Sequence, residues 1–261
     1  MRAPLRCVVY LLVAFASLSF SLLSPSGLPP ANANPLDQGP MTLTLQYHTA
    51  PGDRMALKDY MLTTGLKQWA GWRDQGLVKD YRVFWSRYVD SQNWDMLIVA
   101  NFASPEKLGE WKKVEARFPA GLPISVAKLT TAIHTNPADL HFKGGEPSPN
   151  GVFLIIPYDY LVSTGEYLKY VNDYIVPQYD AWIGEKVMAG YHIYLGRFPV
   201  SRYWSALMIL EYKDEASLGI REQTSTKARV KLRENPAWKA IHESKQNVRV
   251  TRQYVLADLL K

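Results

Sequence analysis

The sequence predicts an α+β fold made of two βαββαβ units in tandem. Two observations support this prediction. When the chain is aligned with itself so that Thr42 stands against Val152, the segments 42–104 and 152–214 match without a gap, and eight of the 63 pairs are identical. Both segments then show the same order of strand-type and helix-type hydrophobic periodicity. We therefore predict an internal duplication, with one unit over 41–142, a linker over 143–151 and a second unit over 152–261.

The N-terminal segment 1–33 has the pattern of a secretory signal peptide. A short stretch containing Arg2 and Arg6 precedes an apolar run over 7–23, and 31–33 reads Ala-Asn-Ala. We expect cleavage after Ala33 and therefore a secreted or periplasmic protein. The alternative is an uncleaved membrane anchor, but the run is shorter than the roughly 20 residues that span a bilayer.

Removal of this segment lowers the formal charge from +6 to +4 and removes Cys7, the single cysteine. Because the remaining chain has no cysteine, we expect no disulfide, no thiolate catalysis, no Cys-ligated zinc and no covalent c-type haem. The mild positive charge does not indicate a nucleic-acid partner. No later apolar stretch is long enough to span a membrane, so we expect no integral membrane segment after signal removal.

Each unit begins with a strand and a helix. The strands are predicted over 42–49 and 152–158, and the second is a continuous apolar run typical of a strand covered on both faces. Asp53 and Ser163 stand at equivalent positions before the helices, and both suit an N-cap. Pro177 falls inside the helix of the second unit, which we expect it to kink or divide.

Two strands, a second helix and a last strand complete each unit. The predicted strands are 77–88, 94–102 and 132–142 in the first unit, and 187–198, 204–212 and 248–256 in the second. The helices are predicted to begin at Ser104 and Asp214, where a capping side chain precedes an acidic residue. The sheet face away from the helices is also apolar and needs a cover. The second unit is the simplest cover, which predicts two sheets packed face to face.

This order of elements is the ferredoxin-like split βαβ unit. Over about residues 41–260 the chain resembles a tandem, single-chain version of the dimeric α+β barrel superfamily. That superfamily includes small antibiotic-biosynthesis-type monooxygenases, muconolactone isomerase-like proteins, and haem-binding relatives of chlorite dismutases and dye-decolourising peroxidases. The resemblance implies an intramolecular α+β barrel. It identifies no specific family, because no catalytic motif of these proteins is present.

The chain carries no motif for a metal or a cofactor, and we expect neither. Its five histidines form no His-x-His or His-Glu-x-x-His pattern, and Gly144-Gly145 precedes no helix. The resemblance to haem proteins makes His242 the one histidine to consider as a haem ligand. On its own sequence context, His242 is typical of a partly exposed helical residue.

The second strand of each unit carries aromatic residues and one arginine on the same face. Tyr81, Trp85 and Arg87 share this face in the first unit, and Tyr191 and Arg197 share it in the second. Such a face is typical of an apolar pocket in which one charge orients a carboxylate or enolate. The structural alternative is that both tyrosines lie in the core and both arginines bind an acid at a strand end.

Two further features of the sequence bear on function. His48, at the end of the first strand, joins the predicted ligand-binding site as a candidate general base. The segment 221–252 holds nine Lys or Arg residues against three acids. It either attracts an anionic ligand or surface, or forms a solvated helix face.

Three functions of different classes remain open. The first is a secreted binding protein that takes a small apolar or aromatic molecule in a barrel cavity. The second is a cofactor-independent enzyme of the monooxygenase or isomerase type. The third is a structural or interaction module without a pocket. A homo-oligomer is compatible with each of them.

Overall fold

The strands of the two predicted units come together in a single sheet. The structure, a computed structural model, describes residues 41–198 and 203–261, so the predicted signal peptide lies outside the described residues. The strands described are β1 (Thr42–Thr49), β2 (Asp80–Ser86), β3 (Met96–Asn101), β4 (Thr130–Gly145), β5 (Val152–Tyr160), β6 (Met188–Gly196), β7 (Ala206–Tyr212), β8 (Arg249–Thr251) and β9 (Val255–Leu259). The α-helices are α1 (Arg54–Tyr60), α2 (Leu66–Asp74), α3 (Pro105–Glu115), α4 (Ile124–Ala127), α5 (Thr164–Tyr170), α6 (Val176–Gly184), α7 (Glu215–Gly219), α8 (Arg221–Leu232) and α9 (Pro236–Ser244). Within these residues, no helix combines the length and the apolarity that crossing a membrane requires.

Eight of the strands close into an antiparallel barrel. Their order is β7-β6-β4-β1-β3-β2-β9-β5, and β5 pairs in turn with β7. We call β1–β4 with their helices the first half and β5–β9 with theirs the second half. The halves meet at two seams, where β4 pairs with β6 and β2 pairs with β9. The predicted α+β barrel is confirmed.

The interior of the barrel is filled by apolar side chains from both halves. The cluster includes Leu97 and Val99 from the first half and Ile155 from the second, all buried. Phe84 and Phe153, one from each half, meet edge to face with their ring centroids 5.0 Å apart. Each half therefore covers the apolar inner face of the other, as the sequence predicts.

The helices cover the outside of the barrel and form a separate core in each half. In the first half, Trp69, Trp72 and Trp111 pack together, with each pair of ring centroids 5.1 Å apart. Trp182 is buried in the corresponding core of the second half. Trp72 and Trp182, which the self-alignment sets against each other, therefore both pack in the outer core of their half.

A π-helical turn interrupts the first long helix of each half at the same position. The turns span Met61–Gly65, between α1 and α2, and Val171–Ile175, between α5 and α6. Pro177 lies in the first turn of α6, so the helix is divided beside this proline. The first half has the same interruption without a proline, and the proline alone therefore does not explain it.

The two predicted N-caps differ. Ser163 forms a capping box with Glu166, whose backbone N–H donates to the serine Oγ while its carboxylate accepts from Ser163 N. The prediction for Asp53 is wrong, because its side chain makes no hydrogen bond to the start of α1. Its backbone is helical, with φ −94° and ψ −10°, whereas a capping residue needs an extended conformation.

The predicted linker over 143–151 begins too early, because β4 continues to Gly145. A Cβ on Gly144 would lie 2.6 Å from the ring of Tyr191, and one on Gly145 would lie 2.0 Å from the carbonyl oxygen of Ala189. Gly145 also has a φ of +77°, which favours glycine. The two glycines therefore allow close strand pairing at the β4–β6 seam.

Candidate functional site

A pocket of about 530 Å³ opens at one end of the barrel. We call it the Arg82 pocket. Its lining includes Lys79, Asp80, Tyr81, Arg82, Asn101, Phe102, Asp139, Leu140, Lys143, Pro147, His192 and Tyr194. Arg82 stands opposite Val99 in the β2–β3 register, and His192 stands opposite Ile209 in the β6–β7 register. The self-alignment of the sequence sets Arg82 on His192 and Val99 on Ile209, so Arg82 and His192 hold equivalent positions in the two halves.

The guanidinium of Arg82 contacts neutral groups. Nη1 lies 3.3 Å from Nδ1 of His192, and Nη2 donates to the hydroxyl of Tyr194 at 3.0 Å. Its Cζ lies 5.5 Å from the ring centroid of Phe84, inside the barrel. Burial raises the pKa of Glu211, and the charge of Arg82 only opposes this shift. Within the described part of the chain, Arg82 forms no salt bridge, so its charge is not neutralised by direct contact with an acid.

The histidine of this pair is neutral. Burial, together with the charges of Arg82 and Lys143, lowers the pKa of His192 to about 3. At neutral pH the imidazole therefore carries no charge, and its Nδ1 can accept a hydrogen bond from the arginine. Lys79 also lines the pocket and adds a further positive charge.

The two acids that line the pocket, Asp80 and Asp139, have partners other than Arg82. Asp80 accepts a hydrogen bond from the side-chain amide of Asn101. Asp139 lies against Arg197, and burial raises the pKa of Asp139 while this arginine opposes the shift. Lys79, Arg82 and Lys143 outnumber these two acids, so the pocket has a net positive charge, which favours an anion.

Apolar side chains form the rest of the wall. Phe102, Leu140 and Pro147 line the pocket beside the polar groups. A cationic group beside apolar walls is the usual arrangement for orienting a small amphipathic molecule. The pocket can therefore bind an anionic group at the arginine and bury an apolar group next to it.

The structure places the arginines of the predicted site at the seams. Nη2 of Arg87 lies 2.7 Å from Oδ1 of Asp258, and Arg87 also binds Glu215. Nε of Arg197 lies 3.2 Å from Oδ2 of Asp139. The alternative that both arginines bind an acid at a strand end therefore describes the structure. Arg87 borders a surface cleft of about 500 Å³, but its charge there is neutralised.

The predicted aromatic residues pack between the sheet and the helices. The Tyr81 hydroxyl donates to the carbonyl of Leu66 at 3.0 Å, and the Tyr191 hydroxyl donates to Asp180 at 3.1 Å. Trp85 is only 2% exposed, within the outer core of the first half. Of these three, Tyr81 also reaches the edge of the Arg82 pocket.

His48 lies at the other end of the barrel. It borders a cleft of about 360 Å³ together with Trp94 and Trp204. Its ring meets that of His134 edge to face with a centroid distance of 5.1 Å. Burial lowers the pKa of His48, although Asp95 opposes this shift. The structure therefore does not bring His48 together with the predicted arginines or with Arg82.

Strand periodicity grouped the residues of β2 correctly but did not identify the face that points into the barrel. That face carries Arg82 and Phe84, and its counterpart on β6 carries His192 and Tyr194. Arg82 and His192 were not among the residues predicted from the sequence. The self-alignment that pairs them was the one signal that could have identified them.

The one histidine considered for haem does not fit an iron ligand. Nδ1 of His242 lies 2.9 Å from the Tyr174 hydroxyl, and Nε2 lies 2.9 Å from Nη2 of Arg233. The ring stacks on Trp238 with a centroid distance of 5.1 Å. Both ring nitrogens are therefore engaged. Among the described residues, no group of three or more His, Cys, Asp or Glu is placed to hold a metal ion.

Comparisons with known proteins bear on the fold. No protein-family model matches the chain, and no curated protein matches it. A candidate monooxygenase from Lactobacillus acidophilus NCFM is 14% identical with a TM-score of 0.52, and the match covers 85% of this chain and 100% of that one. A candidate monooxygenase from Fusobacterium nucleatum is 10% identical with a TM-score of 0.54, covering 85% and 93%. The chlorite dismutase of Candidatus Nitrospira defluvii is 7% identical with a TM-score of 0.51, covering 86% and 93%. At such identities the likeness supports the α+β barrel fold alone.

Proposed function

We propose that this protein binds a small amphipathic anion in the Arg82 pocket. The ligand class is a carboxylate or enolate carried on an apolar or aromatic skeleton. The observation that carries this proposal is the position of Arg82, which lies at the barrel end with only neutral hydrogen-bond partners. The ligand remains the small apolar or aromatic molecule expected from the sequence. The charged residue that binds it is Arg82, in place of Arg87 and Arg197.

The energetics favour an anion over a neutral ligand. Arg82 is partly withdrawn from water beside Tyr194 and Phe84, so an oxyanion that reaches it forms charge-assisted hydrogen bonds in a weakly screening environment. Lys79 and Lys143 border the same pocket and attract anions from solution. Because His192 is neutral, the fixed positive charge of this pair is that of Arg82.

A cofactor-independent monooxygenase or isomerase is the second candidate function. Arg82 could stabilise an enolate, and the fold resembles that of proteins described as monooxygenases. Such a reaction also needs a base that titrates near neutral pH. The pKa of His192, at about 3, is far below that range, and His48 lies at the other barrel end. The geometry therefore supports binding better than proton abstraction.

Calorimetric titration with benzoate tests the proposed function. We expect Arg82→Gln to weaken benzoate binding by at least about tenfold, because the charge-assisted contact is lost. Arg87→Gln is the matched control, since it removes an arginine that acids already neutralise. Equal binding by the wild type and the Arg82 variant would overturn the proposal. Loss of binding in the Arg87 variant alone would return the site to the cleft beside Arg87.

We also propose that the protein is exported and processed. The support is the sequence pattern of 1–33, with a basic start, an apolar run and a small-residue end. Mass spectrometry of the intact protein from a Gram-negative host is expected to find Asn34 as the first residue. A full-length chain in the cytoplasmic fraction would contradict this proposal.

We further infer that the halves arose by duplication of one ferredoxin-like unit. The support is the repetition of the π-helical turn at equivalent positions of the self-alignment and the shared register of Arg82 and His192. The seam ion pairs of Arg87 and Arg197 add a third equivalence. Relatives whose two halves are more similar to each other, in the alignment that sets Arg82 on His192, would support the inference. Relatives whose halves do not align in this way would contradict it.

A further inference from the structure

Within the segment 221–252, four cationic side chains form no salt bridge with a described carboxylate. They are Arg229 on α8, Arg233 just after it, Lys245 just after α9, and Arg249 on β8. Other cations of the same segment do form ion pairs: Lys227 and Lys231 with Glu185, Lys239 with Glu243, and Arg252 with Asp159. We call the four unneutralised residues the basic cluster. Its members come from three elements, so the cluster is created by the fold.

His242 connects two members of the basic cluster. Nη2 of Arg233 lies 2.9 Å from Nε2 of His242, and Nζ of Lys245 donates to the His242 carbonyl at 3.1 Å. Burial and the charges of Lys245, Arg233 and Arg229 lower the pKa of His242. A neutral imidazole accepts from Arg233 at Nε2 and donates through Nδ1 to the Tyr174 hydroxyl, 2.9 Å away.

Arg249 forms the inner end of the cluster. Its Cζ lies 3.8 Å from the ring centroid of Tyr158 and 5.5 Å from that of Tyr170. The buried hydroxyls of Tyr167 and Tyr170 have no hydrogen-bond partner among the described residues. Burial raises the pKa of both hydroxyls, although Arg249 opposes the shift, so both remain donors. No described carboxylate accepts from Arg249 or from these hydroxyls, and buried donors are costly when unpaired.

The three arginines of the basic cluster lie close enough to Lys245 to disfavour its charge. Burial lowers the pKa of Lys245, and the charges of Arg229, Arg249 and Arg233 lower it further. Such a concentration of like charge destabilises the fold unless a counter-ion balances it. One monovalent anion would balance a quarter of it, so the site favours a ligand with several negative charges.

We propose that the basic cluster is a second ligand site, which binds a multivalent oxyanion of the pyrophosphate or phosphate-ester class. Arginine forks match phosphate oxygens in pairs, and Arg229, Arg233 and Arg249 supply three of them. Tyr174 and Trp238, stacked with a centroid distance of 4.8 Å, are buried beneath His242 and hold its ring in place beside the cluster. The site is built entirely from the second half and is independent of the Arg82 pocket.

Calorimetric titration of the full chain with inorganic pyrophosphate at low ionic strength tests the proposal. The test variant is Arg233→Gln with Lys245→Gln, and the control is Lys227→Gln with Lys231→Gln, which removes two charges already paired with Glu185. We expect the test variant to bind at least about tenfold more weakly and the control to stay within about twofold of the wild type. Equal losses in both variants would show general charge attraction and overturn the site. Absence of millimolar binding by the wild type would also overturn it.

Two further measurements strengthen the test. Proton NMR of His242 is expected to show its pKa rising when pyrophosphate is bound, and an unchanged value would contradict binding beside it. Arg82→Gln is expected to leave pyrophosphate binding unchanged, and a loss there would place the anion in the Arg82 pocket instead.

Discussion

Nη1 of Arg82 lies 3.3 Å from Nδ1 of His192, and these two residues occupy equivalent register positions in the two halves. An arginine can hold a histidine at this distance only while the imidazole is neutral, because two cations would repel each other. The pKa of His192, lowered to about 3 from its ordinary 6.5, agrees with this geometry. The contact therefore combines a fixed positive charge with a neutral acceptor.

The first prediction concerns acid stability. The unfolded chain binds the proton of His192 at an ordinary pKa of 6.5, whereas the folded chain binds it only near 3. The His192 contribution to the free energy of unfolding therefore falls as pH drops from 6.5 towards 3. We expect His192→Gln to flatten this dependence in urea unfolding at several pH values. Parallel pH profiles for the variant and the wild type would contradict the prediction.

The second prediction compares the seam ion pairs. The Asp139 side chain is 1% exposed, whereas that of Asp258 is 51% exposed. We expect Asp139→Asn to lower the free energy of unfolding by about 3 kcal/mol, because Arg197 loses a buried counter-charge. Asp258→Asn is expected to cost less than about 1 kcal/mol. Chemical denaturation measures the loss of free energy of unfolding in each variant. Equal losses would show that the more buried ion pair does not stabilise the protein more than the exposed one.

The third prediction concerns the glycine that ends β4. Gly145 and Gly76 both have positive φ, +77° and +70°, but only Gly145 is crowded, since a Cβ there would lie 2.0 Å from the Ala189 carbonyl oxygen. Gly145→Ala is expected to destabilise the protein at least about 2 kcal/mol more than Gly76→Ala. Thermal or urea unfolding checks this. Similar losses would mean that the seam can adjust to a methyl group.

The fourth prediction tests whether the halves unfold together. Phe84 and Phe153 belong to different halves and meet inside the barrel. Each change to alanine is expected to cost about 3–5 kcal/mol, and the double-mutant cycle to give a coupling of about 1 kcal/mol. Fluorescence and circular dichroism should follow one shared transition. Two separate transitions, or additive losses, would contradict a common core.

The order of elements could be predicted from the sequence because each element carries its own local signal. The apolar run at 152–158 predicted a strand covered on both faces, and β5 contacts the barrel interior through Phe153 and the outer core through Leu154. Ser163 carried a capping box that the structure contains. Such signals depend on neighbouring residues and can be read without knowledge of the tertiary structure.

The candidate site could not be predicted in the same way. Val83 and Phe84 are both buried, on opposite faces of β2, so hydrophobic alternation does not tell the inner face from the outer. The partners of Arg87 and Arg197 come from the opposite half, and sequence spacing alone does not place them at a seam. The Arg82 pocket likewise depends on long-range strand pairing.

The seams between β4 and β6 and between β2 and β9 are formed within one polypeptide. Closure of the barrel is therefore a first-order event, and dilution does not open it as it would open an assembly of two separate chains. A mutation in one half is also not copied into the other. The two halves can thus diverge independently. One barrel end therefore presents an arginine opposite a histidine, whereas a symmetric dimer would present two arginines or two histidines.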